Sequence, residues 1–158
     1  MQVLDRIIDN PKSTKRMKKL SIITAFVAIL CFGMTTAKAQ NNNSTPEITQ
    51  FVEQYFPQAN ILMVNAEWDE YEVRLSDGTQ IEFNRSSEWK KIDCEHSTTY
   101  PTVPAKLVPE QINNYVSTSF ANQGIIKIEK QRRGWEIELN NELEIKFDKN
   151  FAVTKIDD

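Results

Sequence analysis

Residue types that build most catalytic and cofactor sites are scarce in this sequence. Its 158 residues include one histidine, two cysteines and four glycines. There is no Gly-x-Ser-x-Gly or His-Glu-x-x-His motif, and no glycine-rich loop of the kind that binds phosphate. Nucleophilic, metal-dependent and nucleotide-dependent catalysis therefore have no visible basis, and we predict a protein that is not an enzyme.

The single histidine lies close to a cysteine, at Cys94-x-His96. Zinc sites need three or four protein ligands, and a cysteine nucleophile needs a base that is held in place. Pro101 and Pro104 follow the pair closely, which is typical of an irregular linker rather than of a rigid site. We therefore predict that neither residue belongs to a metal or catalytic site.

Apolar runs are also scarce: the sequence has one of notable length, and it is typical of an export signal. Lysines and arginines precede Leu20–Phe32, and Ala37-Lys38-Ala39 matches the small-x-small pattern of signal peptidase sites. The run is shorter than the roughly 20 residues that a membrane-spanning helix needs. Met17 is the expected start, so residues 1–39 comprise an over-extended start and a signal peptide. We predict cleavage near Ala39 and a mature protein that is periplasmic or secreted, without a membrane anchor.

Basic residues are few once this segment is removed. Seven of the 19 lysines and arginines lie in residues 1–39, but only two of the 22 aspartates and glutamates, which leaves the other 119 residues with a net charge of −8. Nucleic acids and anionic membranes select basic surfaces, so neither is an expected partner. An acidic protein instead attracts cations or basic proteins. Cys94 is then the only cysteine, and no internal disulfide is expected.

What the sequence does contain is a β-hairpin pattern that occurs twice, in residues 71–83 and 135–147. Side chains alternate along a strand, so the apolar residues of both strands must share one face. A three-residue loop at 76–78 satisfies this condition and places Gly78 in a left-handed conformation, whereas a two-residue loop would bury a glutamate. The loop at 140–142 lacks glycine, so one of its residues must adopt positive φ at a cost of about 1 kcal/mol.

The two hairpins belong to a longer repeat with an offset of 64 residues. Each copy starts with a helix that has one apolar stripe, continues through the hairpin and ends in a further strand. The matched positions are core positions: Ile48 and Ile112, Val52 and Val116, Phe56 and Phe120, Val64 and Ile128, Val73 and Ile137, Ile81 and Ile145, and Ile92 and Ile156. A single offset across all of them is hard to reconcile with chance.

The repeat predicts the fold class and the organisation of the chain. We expect an α+β protein in which a helix plus a four-stranded antiparallel sheet occurs in residues 46–93 and again in 109–158. Residues 40–45 form a tether before the first repeat, and 94–108 form a linker between the two. Units of about 45 residues bury little apolar surface alone. We therefore expect them to join into one sheet of roughly eight strands, with both helices on one face and the other face open.

The patterns resemble those of a known family. They are a helix that ends at Phe56-Pro57, the hairpin Tyr71-Glu-Val-x-Leu-x-Asp-Gly-x-x-Ile-x-Phe83, Trp89, and the second hairpin strand Trp135-Glu-Ile-Glu-Leu139. In these features residues 46–157 are similar to the PepSY-like periplasmic proteins of Bacteroidetes, whose fold is similar to that of the β-lactamase inhibitor protein. The resemblance implies an exported, non-enzymatic binding or inhibitory protein. The chain departs from the family at Ser87 and Phe151, where glycine is usual, and at 141–142, where Asp-Gly is usual.

Paired glutamates are the notable feature of the polar face of the predicted sheet. The register places Glu72 opposite Glu82 and Glu138 opposite Glu144, and like charges in such positions destabilise a sheet by a few tenths of a kcal/mol. The favoured interpretation is a solvated face on which neighbouring side chains reduce the repulsion. Those neighbours are Arg74, Gln80 and Lys146. The alternative is a calcium site, since Ca²⁺ takes six to eight oxygen ligands, although no Asp-x-Asp-x-Asp-Gly loop is present. No other cofactor is expected.

We predict that this face binds an unknown protein or peptide. Residues 48–93 carry nine acidic and four basic residues, whereas 112–157 carry seven of each, so a basic partner is expected to dock toward the first repeat. Trp68 is expected to be exposed and to act as an aromatic anchor, whereas Trp89 and Trp135 are expected in the core. The predicted partner-binding residues are Glu72, Arg74, Glu82, Glu138, Glu144 and Trp68.

Overall fold

The structure is a computed structural model that describes residues 44–157. Its elements, in chain order, are α1 (Pro46–Tyr55), β1 (Ile61–Ala66), β2 (Glu70–Leu75), β3 (Gln80–Asn84), β4 (Trp89–Asp93), a 3₁₀ helix (Ala105–Leu107), α2 (Glu110–Ser119), β5 (Ile125–Gln131), β6 (Gly134–Leu139), β7 (Glu144–Asp148) and β8 (Val153–Asp157). No helix in these residues is long and apolar enough to cross a membrane. The predicted start at Met17, the signal peptide, the cleavage site near Ala39 and residues 40–43 of the tether lie outside the described residues.

All eight strands form one antiparallel sheet in which each strand pairs with its neighbours in sequence. The predicted register of both hairpins is confirmed, since Val73 lies opposite Ile81 and the equivalent isoleucines pair in the second hairpin. The two halves join through β4 and β5, where Ile92 lies opposite Ile128. Helix followed by four strands thus occurs twice, and the predicted α+β architecture is confirmed.

Each helix lies against the sheet through one apolar stripe. The α1 helix begins at Pro46, and the Thr45 hydroxyl accepts a hydrogen bond from the amide of Ile48 at 3.3 Å, which caps the first turn. Ile48 of α1 and Ile112 of α2 are fully buried. They join the inward-facing residues of the strands in a single hydrophobic core. The opposite face of the sheet therefore consists of the side chains that alternate with this core.

The linker at 94–108 differs from the expected irregular connector because it contributes to the core. Cys94, Val103, Leu107 and Val108 are all buried. Backbone hydrogen bonds hold the linker to β5, with the Cys94 amide donating to the Ile126 carbonyl at 2.8 Å. Apolar residues of the linker can then cover the core where the two halves meet, which their spacing in the sequence did not indicate.

Two turns adopt left-handed backbone conformations at the positions where the family that the sequence resembles usually has glycine. Ser87 has φ of 60° and Phe151 has φ of 63°. In each turn, side-chain hydrogen bonds stabilise the backbone and offset part of the cost of positive φ at a residue other than glycine. The carboxamide oxygen of Asn84 and the carboxylate of Asp148 each accept two backbone hydrogen bonds of 2.8–3.0 Å. Glu142 has φ of 68° in the second hairpin loop, as predicted for a loop without glycine.

Candidate protein-binding face

Two continuous rows of side chains run across the open face of the sheet. Each strand contributes one residue to each row, and successive residues lie directly opposite each other across the ladders. Row A is Asn65, Glu72, Glu82, Lys91, Glu129, Glu136, Lys146 and Lys155. Row B is Met63, Arg74, Gln80, Asp93, Lys127, Glu138, Glu144 and Asp157. None of these side chains is buried.

Most of the predicted binding residues lie in these rows. The predicted pairs are present, with Glu72 opposite Glu82 in row A and Glu138 opposite Glu144 in row B. Arg74 lies beside Glu72 on the same strand, in row B. Their role in binding stays a prediction.

The tryptophans lie away from the two rows. Trp68 is 87% exposed, as expected, but it belongs to the turn between β1 and β2, where its carbonyl accepts a hydrogen bond from Arg85 at 2.9 Å. Trp89 and Trp135 are half-buried at the margin of the core, with ring centroids 6.0 Å apart. The ammonium of Lys130 lies 3.6 Å from the centroid of the Trp89 ring. Trp89 and Trp135 therefore border the core rather than fill it.

Lysines on neighbouring strands reduce the repulsion within the glutamate pairs. Lys91 contacts Glu82 at 3.1 Å and Lys127 contacts Glu138 at 3.1 Å. Lys146 lies 2.8 Å from Glu144 and also 2.8 Å from Glu136. These hydrogen bonds, to Glu136 and then Glu144, raise the pKa of Lys146 well above its usual range. The face is thus a network of partly shielded charges.

Sequence reasoning missed several charged members of the two rows, among them Lys91, Lys127, Glu129 and Glu136. The sequence does predict that these four side chains point to the open face, because each is next to an inward-facing isoleucine in its strand. The sequence does not predict which of these residues lie opposite each other, because that depends on the register in which β5 pairs with β4 and β6. The pairing of β5 with β6 adds the like-charge pair Glu129 opposite Glu136. The pairing of β7 with β8 adds two more, Lys146 opposite Lys155 and Glu144 opposite Asp157.

The excess of acidic residues expected on the first repeat is not found on the open face. In the two rows, β1–β4 contribute three acidic and two basic residues, and β5–β8 contribute five acidic and three basic residues. Other acidic residues of the first repeat, such as Glu53 on α1 and Asp69 in a turn, lie elsewhere. Net charge of a repeat therefore did not predict the charge of its exposed sheet surface.

Glu129 is the carboxylate of the face with a clearly altered ionisation. Burial, followed by the charge of Glu136, raises its pKa, although the nearby Lys91 opposes the change. A raised pKa in the folded state means that the ionised form lowers stability above that pKa, and that the loss disappears as the pH falls through it. Glu129 is therefore a destabilising charge at neutral pH.

The substitution Glu129→Gln is expected to raise the melting temperature by about 1 to 3 °C at pH 7, because it removes one half of a like-charge pair. Below about pH 4 wild-type Glu129 is largely protonated and the two proteins should melt together. Circular dichroism melts across this pH range measure the difference. As a control, Glu138→Gln also removes one half of a like-charge pair, but it breaks the ion pair with Lys127 as well and should give no stabilisation. A stabilisation by Glu129→Gln that is independent of pH would contradict this account.

A shallow cavity of about 40 Å³ interrupts the face between the strands of the first half. It is lined mainly by row residues: Met63, Glu72, Arg74, Gln80, Glu82, Lys91 and Asp93. Small-molecule sites usually measure about 300 to 1,000 Å³, so this cavity is too small for a cofactor. Its size suits a water molecule or the tip of one side chain from a partner.

The features of residues 44–157 do not favour metal binding or a reactive thiol. No group of three or more histidine, cysteine, aspartate or glutamate side chains in this range is placed to hold a metal ion. Cys94 is 2% exposed, and burial raises the pKa of its thiol to about 12. A thiol with such a pKa is almost entirely protonated at neutral pH and is a poor nucleophile. The structure therefore gives Cys94 a packing role.

Together these features define an α+β protein with one core, an eight-stranded antiparallel sheet and a charged open face. Residues 69–155 match the family model described as "Putative beta-lactamase-inhibitor-like, PepSY-like". Because the match spans more than half of the sequence, the chain belongs to this PepSY-like family. The comparison with curated proteins gave no significant match.

Solved structures of bacterial proteins share this fold. A putative calcium-regulated periplasmic protein from Bacteroides thetaiotaomicron is 29% identical, with a TM-score of 0.65 over 73% of this chain and 91% of that chain. A putative periplasmic protein of the DUF2874 family from Bacteroides vulgatus is 31% identical, with a TM-score of 0.64 over 72% of this chain and 89% of that chain. Both similar proteins are thus described as periplasmic.

Proposed function

We propose that the chain is an exported, non-enzymatic protein that binds another protein or a peptide through rows A and B. The observation that carries this proposal is the continuity of the two rows across all eight strands, on a face that no other element in residues 44–157 covers. The signal-like residues 1–39 and the periplasmic description of similar proteins support export to the periplasm.

The dimensions of the face favour a macromolecular partner. Eight strands at a spacing of about 4.8 Å give a surface roughly 34 Å wide. A stable protein–protein interface buries about 800 Å² on each partner, which a surface of this width can provide. The cavity on its first half has a volume of about 40 Å³. A typical small-molecule ligand is too large for this cavity.

The charges of the face favour a basic partner. Rows A and B contain eight acidic and five basic side chains, and several of the lysines already contact carboxylates of the face. Glu72 is exposed, and within residues 44–157 its carboxylate accepts only a long hydrogen bond, from the Asn65 amide at 3.4 Å. It is therefore available to a lysine or arginine of a partner, and a base in its place would repel such a group.

The substitution Glu72→Lys is expected to weaken capture of the partner at least about tenfold, because it places a like charge against a basic surface. The mature chain, residues 40–158, serves as bait in envelope extract, and the amount of a stoichiometrically bound protein is measured by quantitative mass spectrometry. Glu53→Lys is the matched control, since it makes the same charge change at an exposed position of α1. Equal loss for both variants, or no stoichiometric partner for the wild type, would refute the proposal.

Calcium binding by the carboxylates of the face is the second candidate function. It is favoured by the similarity to a protein described as putatively calcium-regulated. Millimolar Ca²⁺ should then raise the melting temperature, with Mg²⁺ as the control, and the shift should be lost in Glu82→Gln. An unchanged melting temperature in Ca²⁺ would exclude this candidate and leave the protein-binding proposal untouched.

A further inference from the structure

The last strand, β8, is the counterpart of β4 but has an open outer edge. The offset of 64 matches Lys91, Ile92 and Asp93 of β4 with Lys155, Ile156 and Asp157 of β8. The inner edges of the two strands are equivalent as well, because both pair with the preceding strand in the same register and with the same bulge. Within residues 44–157, β8 pairs on that side only.

The outer edge of β4 pairs with β5, and this pairing shows which residue types cover the edge of such a strand. There β5 places an isoleucine opposite Ile92 and opposite charges at both flanking positions, Lys91 with Glu129 and Asp93 with Lys127. Ile92 is fully buried as a result. In contrast, Ile156 of β8 is 46% exposed and lies between two charges that, within residues 44–157, form an ion pair only with each other.

Backbone groups of β8 are also available for pairing. The Cys94 amide bonds to β5, and hydrogen bonding alternates along antiparallel strands, so Ile92 directs its amide and carbonyl toward β5 as well. By the same register Ile156 directs its amide and carbonyl outward from β8. An open edge strand with an exposed isoleucine is a template for addition of another strand.

We propose that β8 pairs with β8 of a second copy of the chain, forming a two-fold symmetric dimer with one continuous sheet of sixteen strands. Antiparallel pairing centred on Ile156 places Lys155 opposite Asp157 of the second copy, and Asp157 opposite Lys155 of the second copy. Ile156 then lies opposite its own copy. The interface thus reproduces the three pairs of the β4–β5 junction: one apolar pair flanked by two opposite-charge pairs.

The charges also discriminate against the alternative head-to-tail pairing. The strand β1 is the counterpart of β5 and has the other open edge of the sheet in residues 44–157. In the β4–β5 register it would place Asn65 opposite Lys155 and Met63 opposite Asp157, so both charge pairs would be lost. Self-pairing of β8 retains them, and a two-fold contact closes after two copies whereas a head-to-tail contact propagates.

Charge exchange within β8 tests the proposal directly. The variant Lys155→Asp places an aspartate against Asp157 of the second copy, and Asp157→Lys places two lysines against each other. Each variant alone is expected to dimerise at least about tenfold more weakly than the wild type. A mixture of the two restores both opposite-charge pairs and should form the heterodimer. Both changes are compatible with the monomer, since they put an acid opposite Lys146 and a base opposite Glu144.

Sedimentation equilibrium of the mature chain, residues 40–158, measures the association. The mass of the wild type should rise with concentration toward that of two chains, and the equimolar mixture should do so when each variant alone does not. Lys149→Asp is the matched control, because it makes the same charge change in the exposed turn before β8 and should leave the dimer intact. A monomeric wild type, dimers that persist in both single variants, or a mixture that stays monomeric would each overturn the proposal.

Discussion

The substitutions Phe83→Ala and Phe147→Ala are each expected to lower the free energy of unfolding by about 3 to 5 kcal/mol. Phe83 is fully buried and meets the ring of Phe51 edge-on at 5.2 Å between centroids. Phe147, its counterpart at the offset of 64, meets Tyr115 edge-on at 5.5 Å. Removing either ring leaves a cavity and also removes an aromatic contact with the helix that covers it.

Urea unfolding followed by far-ultraviolet circular dichroism measures both losses. Because the two halves share one core and one sheet, each variant should unfold in a single transition at a lower urea concentration. The control Trp68→Ala truncates an aromatic residue that is 87% exposed and should change stability by no more than about 0.5 kcal/mol. Two separate transitions, with one unaffected by the substitution, would show that the halves unfold independently.

The architecture was predictable because its determinants are local and occur twice. Alternation in a hairpin fixes which residues face inward, and only a three-residue loop keeps Val73 and Ile81 on one face. Both hairpins follow this rule, with positive φ at Gly78 and at Glu142. The offset of 64 then predicted that both copies contribute to the same core.

The missing parts of the prediction depend on contacts between distant segments. Glu129 opposes Glu136, and Lys91 opposes Glu129, only because β5 pairs with both β4 and β6 in one particular register. The linker contributes Val103 to the core because its backbone bonds to Ile125 at the start of β5. No spacing within a single strand or turn contains this information.

The candidate site shows the same division. Strand parity placed Glu72, Glu82, Glu138 and Glu144 on the open face, and the structure has them there. The predicted charge balance of that face was wrong, because a count over a whole repeat includes residues such as Glu53 that lie on the helix side. To predict the charge of one face, one must know which residues lie on it. Strand pairing determines those residues, whereas the composition of the repeat does not.

The substitution Gly134→Ala is expected to lower the free energy of unfolding by about 2 to 4 kcal/mol, through strain and overpacking. Gly134 begins β6 with φ of 150°, and an added Cβ would lie 1.9 Å from the carbonyl oxygen of Phe147 and 2.7 Å from the carbonyl carbon of Asp148. These are backbone atoms of β7, a strand that is paired on both sides. They cannot move aside without disturbing two ladders.

Gly124→Ala is the matched control for this prediction. Its Cβ would also meet a close neighbour, but that neighbour is the methyl group of Thr102 at 2.3 Å, the end of a side chain that can rotate. We expect a loss of about 1 kcal/mol or less for this variant. Chemical unfolding of both proteins measures the difference. Equal losses would mean that β7 yields as easily as a threonine side chain, and the sheet would then be less rigid than its continuous pairing implies.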